Sequence, residues 1–575
     1  MLRVWMFDAG RDAWLNFSEP TEILAAYRVD DVLPLLRRIE SQVANRGLYA
    51  AGFISYEAAP AFDSALRVRL PEPPFPLLWF GLFRLAKPMT LPPASSTSEL
   101  AWRPDISRSA YCAAVERIKH FIAAGDTYQV NYSFRLKSPF RREPIDLFLQ
   151  LAAAQPSRHA AYIETETFAV CSASPELFFS LEGRSIVARP MKGTMPRELT
   201  SSEDAQQAKR LHTSEKDRAE NVMIVDMMRN DIGRIAEIGS VEVPFLFTVE
   251  RYPTVWQMTS TVQARTDASV SDILCALFPC ASVTGAPKPR TMQIIAGLES
   301  SPRKLYTGAL GFIAPERRAQ FNVAIRTVLV DKRIQEAEYG VGGGVVWDST
   351  PEGEYEECLT KARVLTGVRP PFDLLETILF TPEEGFFLLD EHLERLRGSC
   401  EYFGFPFDER AVLDALHRAV QETNTGALRI RLTLGSDGTP RVTVASMSVR
   451  EADIPVRVRF AAAPVDSHHL FLYYKTTHRT LYDEALRNVG DCDDVILWNE
   501  RSEITESTNA NIVVELDGVM YTPPVASGLL PGTFRQRLLR DGLITERVVK
   551  RQEVVRCTQL FLINSVRKWR KAVLV

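Results

Sequence analysis

Apolar positions in the first two thirds of the chain recur with two different periods. Runs such as "AQFNVAIRTVLV" (residues 319–330) concentrate β-branched and aromatic side chains as strands do. Elsewhere the spacing is helical. In "SEKDRAENVMIVDMMRN" a helix is predicted to open at Ser214, whose hydroxyl pairs with Asp217 in an S-x-x-D capping pattern, and to stop at Gly233. A second helix is predicted over "EGEYEECLTKARVL" (352–365). The pattern breaks at "TGVRPPFD" (366–373) and restarts with strand, hairpin and helix in "LLETILFTPEEGFFLLDEHLERLRGSCEYFG", the helix spanning Glu391 to Phe403. Strands "ALRIRLTLG" and "RVTVASMSV" follow, then strand and turn signals including "ELDGVMYTPP". The chain therefore reads as α+β in two parts, 1–367 and 368–575, with the boundary near Val368. The Pro, Ser and Thr-rich "KPMTLPPASSTSEL" (87–100) reads as a linker or excursion between strands.

The 575 residues exceed what one ordinary core accommodates, which agrees with two parts. A net charge of −4 gives no electrostatic case for nucleic acid or a membrane surface, so any anionic ligand must be met locally. The eight cysteines are scattered, without a C-x-x-C pair, as expected of reduced thiols in a cytoplasm. Charged residues interrupt the amino terminus before an apolar export segment forms, and no later run reaches bilayer length; no anchor is expected.

Chemistry enters at a few sites. Lys192 lies between Pro190 and Gly193 in "ARPMKGTMPR", a turn or strand end where a lysine is ordinarily a solvated charge. Glu354, Glu357 and Lys361 are spaced i, i+3, i+7 and share one helix face; alone they read as a salt-bridged surface. The carboxylates among them, together with Glu220 on another helix, are the hard oxygen ligands that Mg²⁺ takes. "EYGVGGGVV" holds glycines at 340, 342, 343 and 344 that allow close approach of backbone N–H groups to an anion, or equally a sheet corner. Thr284, Lys288 and Arg326 add groups suited to carboxylates. In the second part, Lys475 follows the strand-like "LYYK", and Glu506 follows some thirty residues later. A lysine plus an acid for a pyridinium nitrogen is the least that a pyridoxal-phosphate site requires. The adjacent His468 and His469 read as structural.

The ordered segments "GDTYQVNYS", "SASPELFF", "RPMKGTMPR", "KDRAENVMIVDMMRNDIGR", "VTGAPKPR" and "EYGVGGGVV" with "EYEECLTKA" resemble chorismate-utilising enzymes of the anthranilate synthase component I type. That resemblance implies their chorismate-binding sandwich. The P-x-K-G-T form resembles the members that make aminodeoxychorismate, which implies Lys192 as covalent catalyst and Glu176 as general acid. It also implies Glu220 and Glu357, with Glu354, as Mg²⁺ ligands. Tyr306, Arg326, Lys361, Gly342, Gly343 and Thr284 are implied as substrate contacts. Gln257 departs from the histidine of many relatives; it cannot shuttle protons near neutrality, in keeping with a product that retains its enolpyruvyl group. No cysteine has the Gly-x-Cys-x-Gly setting of a glutaminase, so a separate glutamine amidotransferase subunit is expected to supply ammonia.

Residues 373–575 resemble the fold-type IV pyridoxal-phosphate family. The resemblance implies Lys475 as the Schiff-base lysine, Glu506 at the ring nitrogen, and Arg395, Thr533 and Ser565 as phosphate contacts. Asn564 suits the family's lyase better than its aminotransferases. The joined parts then imply two consecutive steps, chorismate to 4-amino-4-deoxychorismate and on to 4-aminobenzoate, in a homodimer formed through the carboxy-terminal half. Two rivals are an anthranilate or salicylate synthase joined to an aminotransferase, and a chain in which one half is a non-catalytic scaffold.

Overall fold

The computed structural model describes residues 2–72, 74–94, 100–366, 370–421, 426–447 and 454–575. The boundary expected near Val368, residues 95–99 of the expected linker and the end of "RVTVASMSV" lie outside them. Contacts sort the chain into one unit of Met1–Arg197 with Gln207–Arg369, and another of Pro370–Val575 with Glu198–Gln206.

The first unit contains two ten-stranded sheets. Val4, Leu15 and Phe17 of one meet Phe53, Phe83 and Phe312 of the other in a core between them. Helices cover the outer faces: Val29–Arg46 and Val270–Leu277 on one sheet, Arg108–Ala123 and Pro144–Ala154 on the other. Strands covered on both faces lose alternation, and Leu78–Phe83 is buried at every position.

Six elements position the first site: β1 (Gln129–Pro139), β2 (Met191–Pro196), α1 (Glu215–Gly233), β3 (Val255–Arg265), β4 (Glu336–Val345) and α2 (Pro351–Ala362). The cap of α1 forms as its sequence predicts, Asp217 N–H donating to Ser214 Oγ at 3.3 Å. The run 319–330 divides between the two sheets, as Arg318–Val323 and Thr327–Asp331. Arg326 sits at the crossing with φ +48°.

In the second unit, β5 (Leu374–Thr381) and β6 (Leu428–Leu434) are central in a four-stranded sheet backed by α3 (Leu389–Phe403) and Glu409–Gln421. β6 buries 428, 430, 432 and 434 and exposes Arg429 and Arg431, the alternation of a half-covered strand. The helix α3 starts two residues before the sequence suggests and closes on Gly404 at φ +78°. An eight-stranded sheet contains β7 (Ile504–Ser507).

The strand expected before Lys475 does not form. Leu470–Leu472 is a 3₁₀ turn, followed by an irregular segment. Phe471, Leu472, Tyr473 and Tyr474 are all buried; a strand between a core and solvent would have turned alternate ones outward.

Two candidate active sites

The first cavity, about 140 Å³, is lined by residues of β2, α1, β3, β4 and α2, and it brings Lys192, Glu176, Glu220, Glu354, Glu357 and Lys361 together. β2 pairs with β3 through Met191↔Thr259 and Thr194↔Gln257, so β2 carries one extra residue between those pairs. Such a bulge re-aims side chains, and here it turns Lys192 into the cavity. Burial holds the Lys192 amine below its ordinary value against the pull of Glu220, with repulsion from Lys361 adding to the effect. Burial pushes Glu176 up to about 7, although Ser282 Oγ donates to its Oε1 at 2.5 Å. The site therefore offers an amine held below its ordinary value beside a carboxyl that is partly protonated near neutrality.

The glycine run serves differently from a phosphate loop. It is strand β4, paired along β1 through Gly342↔Ser133 and Gly344↔Asn131. A Cβ on Gly340 would lie 2.2 Å from the Tyr306 ring, on Gly343 2.6 Å from Glu354 Oε2, and on Gly344 2.9 Å from Lys192 Nζ. The missing side chains make room for the site's polar groups. Lys361 is fixed by Glu357 Oε1 at 2.7 Å and the Gly342 carbonyl at 3.0 Å. Arg326 reaches Gln155 Oε1 and lies over the Tyr252 ring at 5.6 Å.

Thr284 does not reach the cavity. It is fully buried, and its hydroxyl donates to the Cys280 and Ala281 carbonyls at 3.1 and 3.3 Å. Lys288 likewise turns to Asp231 Oδ2 and the Leu277 carbonyl. Lys216, Thr194 and Asn131 join the lining without having been singled out in the sequence, and so does Asp217, read there only as a capping partner; its i, i+3 spacing from Glu220 on α1 is the one local signal.

The carboxylates suit a hard divalent cation. Burial and the charge of Glu357 raise Glu354, whose Oε2 is buried without a partner; burial also raises Glu220. Burial opposes charge on Glu357 as well, but Lys361 outweighs it and lowers the group overall. Among the described residues no three metal-type side chains form a closed cage. A Mg²⁺ here would rest on few protein oxygens and complete its shell with water and substrate, as that ion commonly does.

The second cavity, about 460 Å³, is lined by Lys475, Glu506, Arg395, Thr533 and Ser565 together. Lys475 is lowered to about 8 by burial and then by Arg395. Glu506 on β7 is raised to about 8 by burial, despite Tyr482 OH donating to its Oε1 at 2.7 Å. An amine and an acid each short of a countercharge are what an aldehyde cofactor with a basic ring nitrogen would satisfy. The end of the cavity that holds Arg395 and Thr533 is braced by a triad that the sequence did not reveal. Glu376 accepts from Arg395 Nε and Nη2 at 2.9 and 2.6 Å and contacts His392 Nδ1 at 2.6 Å. His392 Nε2 lies 3.4 Å from Thr533 Oγ1, and Ser565 Oγ donates to the Thr377 carbonyl at 3.1 Å. His468, largely exposed beside Asp466, and His469 lie outside the cavity lining.

Residues 82–367 match the family model described as chorismate binding enzyme, and the chain belongs to that family. Residues 373–575 match the model described as amino-transferase class IV. Anthranilate synthase component 1 of Streptomyces coelicolor is 36% identical over 349 residues, 60% of this chain and 67% of the relative. Aminodeoxychorismate synthase component 1 of Klebsiella aerogenes is 42% identical over 270 residues, 47% of this chain and 59% of the relative. Among solved structures, anthranilate synthase component I of Streptococcus pneumoniae aligns with TM-score 0.54 and 25% identity, covering 63% of this chain and 92% of that one. The chain spans little more than half the length of several curated relatives, 54 to 59%. No described helix is long and apolar enough to cross a membrane.

Proposed function

We propose that this chain makes 4-aminobenzoate from chorismate in two steps, residues 1–367 aminating the ring and residues 368–575 eliminating pyruvate. The observation that carries the reading is the presence of two amines held below the ordinary lysine value, Lys192 and Lys475, each in its own cavity with an acid held above the ordinary carboxyl value.

In the first step the neutral Lys192 Nζ adds to ring C2, the ring double bonds shift, and the C4–O bond breaks as Glu176 gives its proton to the departing hydroxyl. Ammonia then bonds to C4, the shift reverses, and the C2–N bond to Lys192 breaks. Arg326, Lys361 and Tyr306 orient the substrate's carboxylates. A Mg²⁺ on Glu220, Glu357 and Glu354 would offset carboxylate charge. Gln257 gives this site no imidazole for pyruvate elimination, which favours a product that keeps the enolpyruvyl ether.

In the second step, pyridoxal phosphate, when bound, supplies an electron sink for the substrate amine. Arg395, Thr533 and Ser565 hold its phosphate, and Glu506 holds a proton toward its ring nitrogen. Lys475, with its value near 8, takes the C4 proton, and loss of pyruvate from C3 leaves the aromatic ring.

Ammonia comes from a separate glutamine amidotransferase subunit. Two copies of the chain associate through the carboxy-terminal half, and the cytoplasm keeps all eight cysteines free, as they stand here. Incubation with chorismate, ammonia, Mg²⁺ and pyridoxal phosphate tests the reading. Pyruvate and 4-aminobenzoate are expected, Lys192→Ala blocking before aminodeoxychorismate and Lys475→Ala after it. Anthranilate or salicylate as product would reject it.

A further inference from the structure

The bulge that presents Lys192 is held by contacts outside the ordinary strand ladder. Gly193, the residue after the lysine, has φ +90°, and a Cβ there would press within 3.0 Å of Asp217 Cβ and 3.2 Å of Leu211 Cδ1. It is therefore wedged against the first turn of α1. The extra residue takes backbone groups out of pairing, and one of them, the Gly193 carbonyl, accepts from Gln257 Nε2 at 2.7 Å. The other end of the same amide, Oε1, accepts from Thr194 Oγ1 at 3.0 Å. Gln257 is 6% exposed and directly opposite Thr194 in the register, so both ends of its side chain are committed to the two residues that follow Lys192.

We propose that Gln257 is a positioning residue that clasps the Gly193–Thr194 bulge and so aims the Lys192 amine at the substrate. This deepens the function proposed above and rests on it for its kinetic consequence alone. A primary amide suits the task because it donates and accepts at once in one fixed orientation and carries no charge at any working pH. It holds the turn without placing a titrating group beside the lysine.

The test uses the full-length protein and three substitutions. Gln257→Met keeps much of the shape and removes both bonds, Thr194→Val removes one, and Thr194→Ser keeps the hydroxyl. Misplacing the amine by about an ångström lowers kcat about 100-fold in Gln257→Met, with KM for chorismate within about 3-fold. Loss of one neutral hydrogen bond in Thr194→Val costs about 10-fold, and Thr194→Ser restores the rate to within about 3-fold. Because one clasp is involved, Gln257→Met with Thr194→Val is no slower than Gln257→Met alone. Independently of turnover, acetic anhydride labelling followed by peptide mapping gives the reactivity of Lys192 relative to Lys361, and Gln257→Met changes that ratio.

Unchanged kcat and an unchanged labelling ratio in folded Gln257→Met overturn the proposal. So does additive loss in the double variant. If Gln257→Met fails to fold, Thr194→Val against Thr194→Ser decides by the same two readouts. If Lys192→Ala leaves amination intact, the catalytic reading fails, while the labelling ratio still reports on the clasp.

Discussion

Replacing Lys475 with methionine should make the second unit of the cofactor-free protein more stable at neutral pH. The amine is lowered from 10.5 to about 8, principally by burial. The unfolded chain therefore binds more protons than the folded one between about pH 8 and 10.5, and stability rises with pH across that window. Below pH 8 the penalty is fully present. At 1.36 kcal/mol per pH unit the displacement amounts to about 3 kcal/mol, and a methionine of similar length does not incur it. Urea unfolding read by hydrogen exchange in peptides from 373–575 isolates this unit. The variant should exceed the parent by about 3 kcal/mol at pH 6 to 7, with the gap closing as pH approaches 10.5. A variant no more stable at pH 7, or a gap that ignores pH, would show that the amine is not desolvated. A buried amine maintained against this penalty is then a functional group, since stability alone would favour its removal.

Other consequences follow from the same geometry. Glu176 must be protonated to serve as an acid; with its value near 7, the amination rate should fall as pH rises through 7, and Glu176→Gln should be 10²- to 10⁴-fold slower with that limb gone, as pH–rate profiles will reveal. Chelation by EDTA should stop amination of chorismate yet spare 4-aminobenzoate formation from aminodeoxychorismate, with Mg²⁺ restoring the first assay. Glu376→Gln should destabilise the second unit by about 3–5 kcal/mol in denaturant unfolding, because Arg395 and His392 lose their shared buried partner. Glu376 is held near 2, so its own contribution persists above about pH 4.5 and is lost as pH falls toward 2.

Local signals made much of the molecule legible. The S-x-x-D cap announced α1, and alternation of apolar and charged positions announced β6, because both depend on neighbours in sequence. Lys192, Glu176, Glu506 and Lys475 were found through motif resemblance, and each lines a cavity. What stayed hidden depends on long-range pairing. Nothing local to Gln257 says that a register shift frees a carbonyl for it 64 residues away. The Glu376–His392–Arg395 triad joins a strand to a helix across the core. Thr284 misled because a hydroxyl in a motif is equally able to satisfy nearby carbonyls, as it does here. "LYYK" misled because strand propensity is overridden by tertiary context: Leu470–Leu472 winds into a 3₁₀ turn and Phe471 to Tyr474 are buried there without joining a sheet.

The glycines of β4 carry one more implication. A wall made of bare main chain presents amides whose character no codon change can retune, and almost any replacement fills the space instead of altering its polarity. Divergence toward another product is thereby channelled to the opposite side of the cleft, where positions 176, 192 and 257 face it. A saturation library across both sides would register as intolerance along the strand and as changed chemistry across from it.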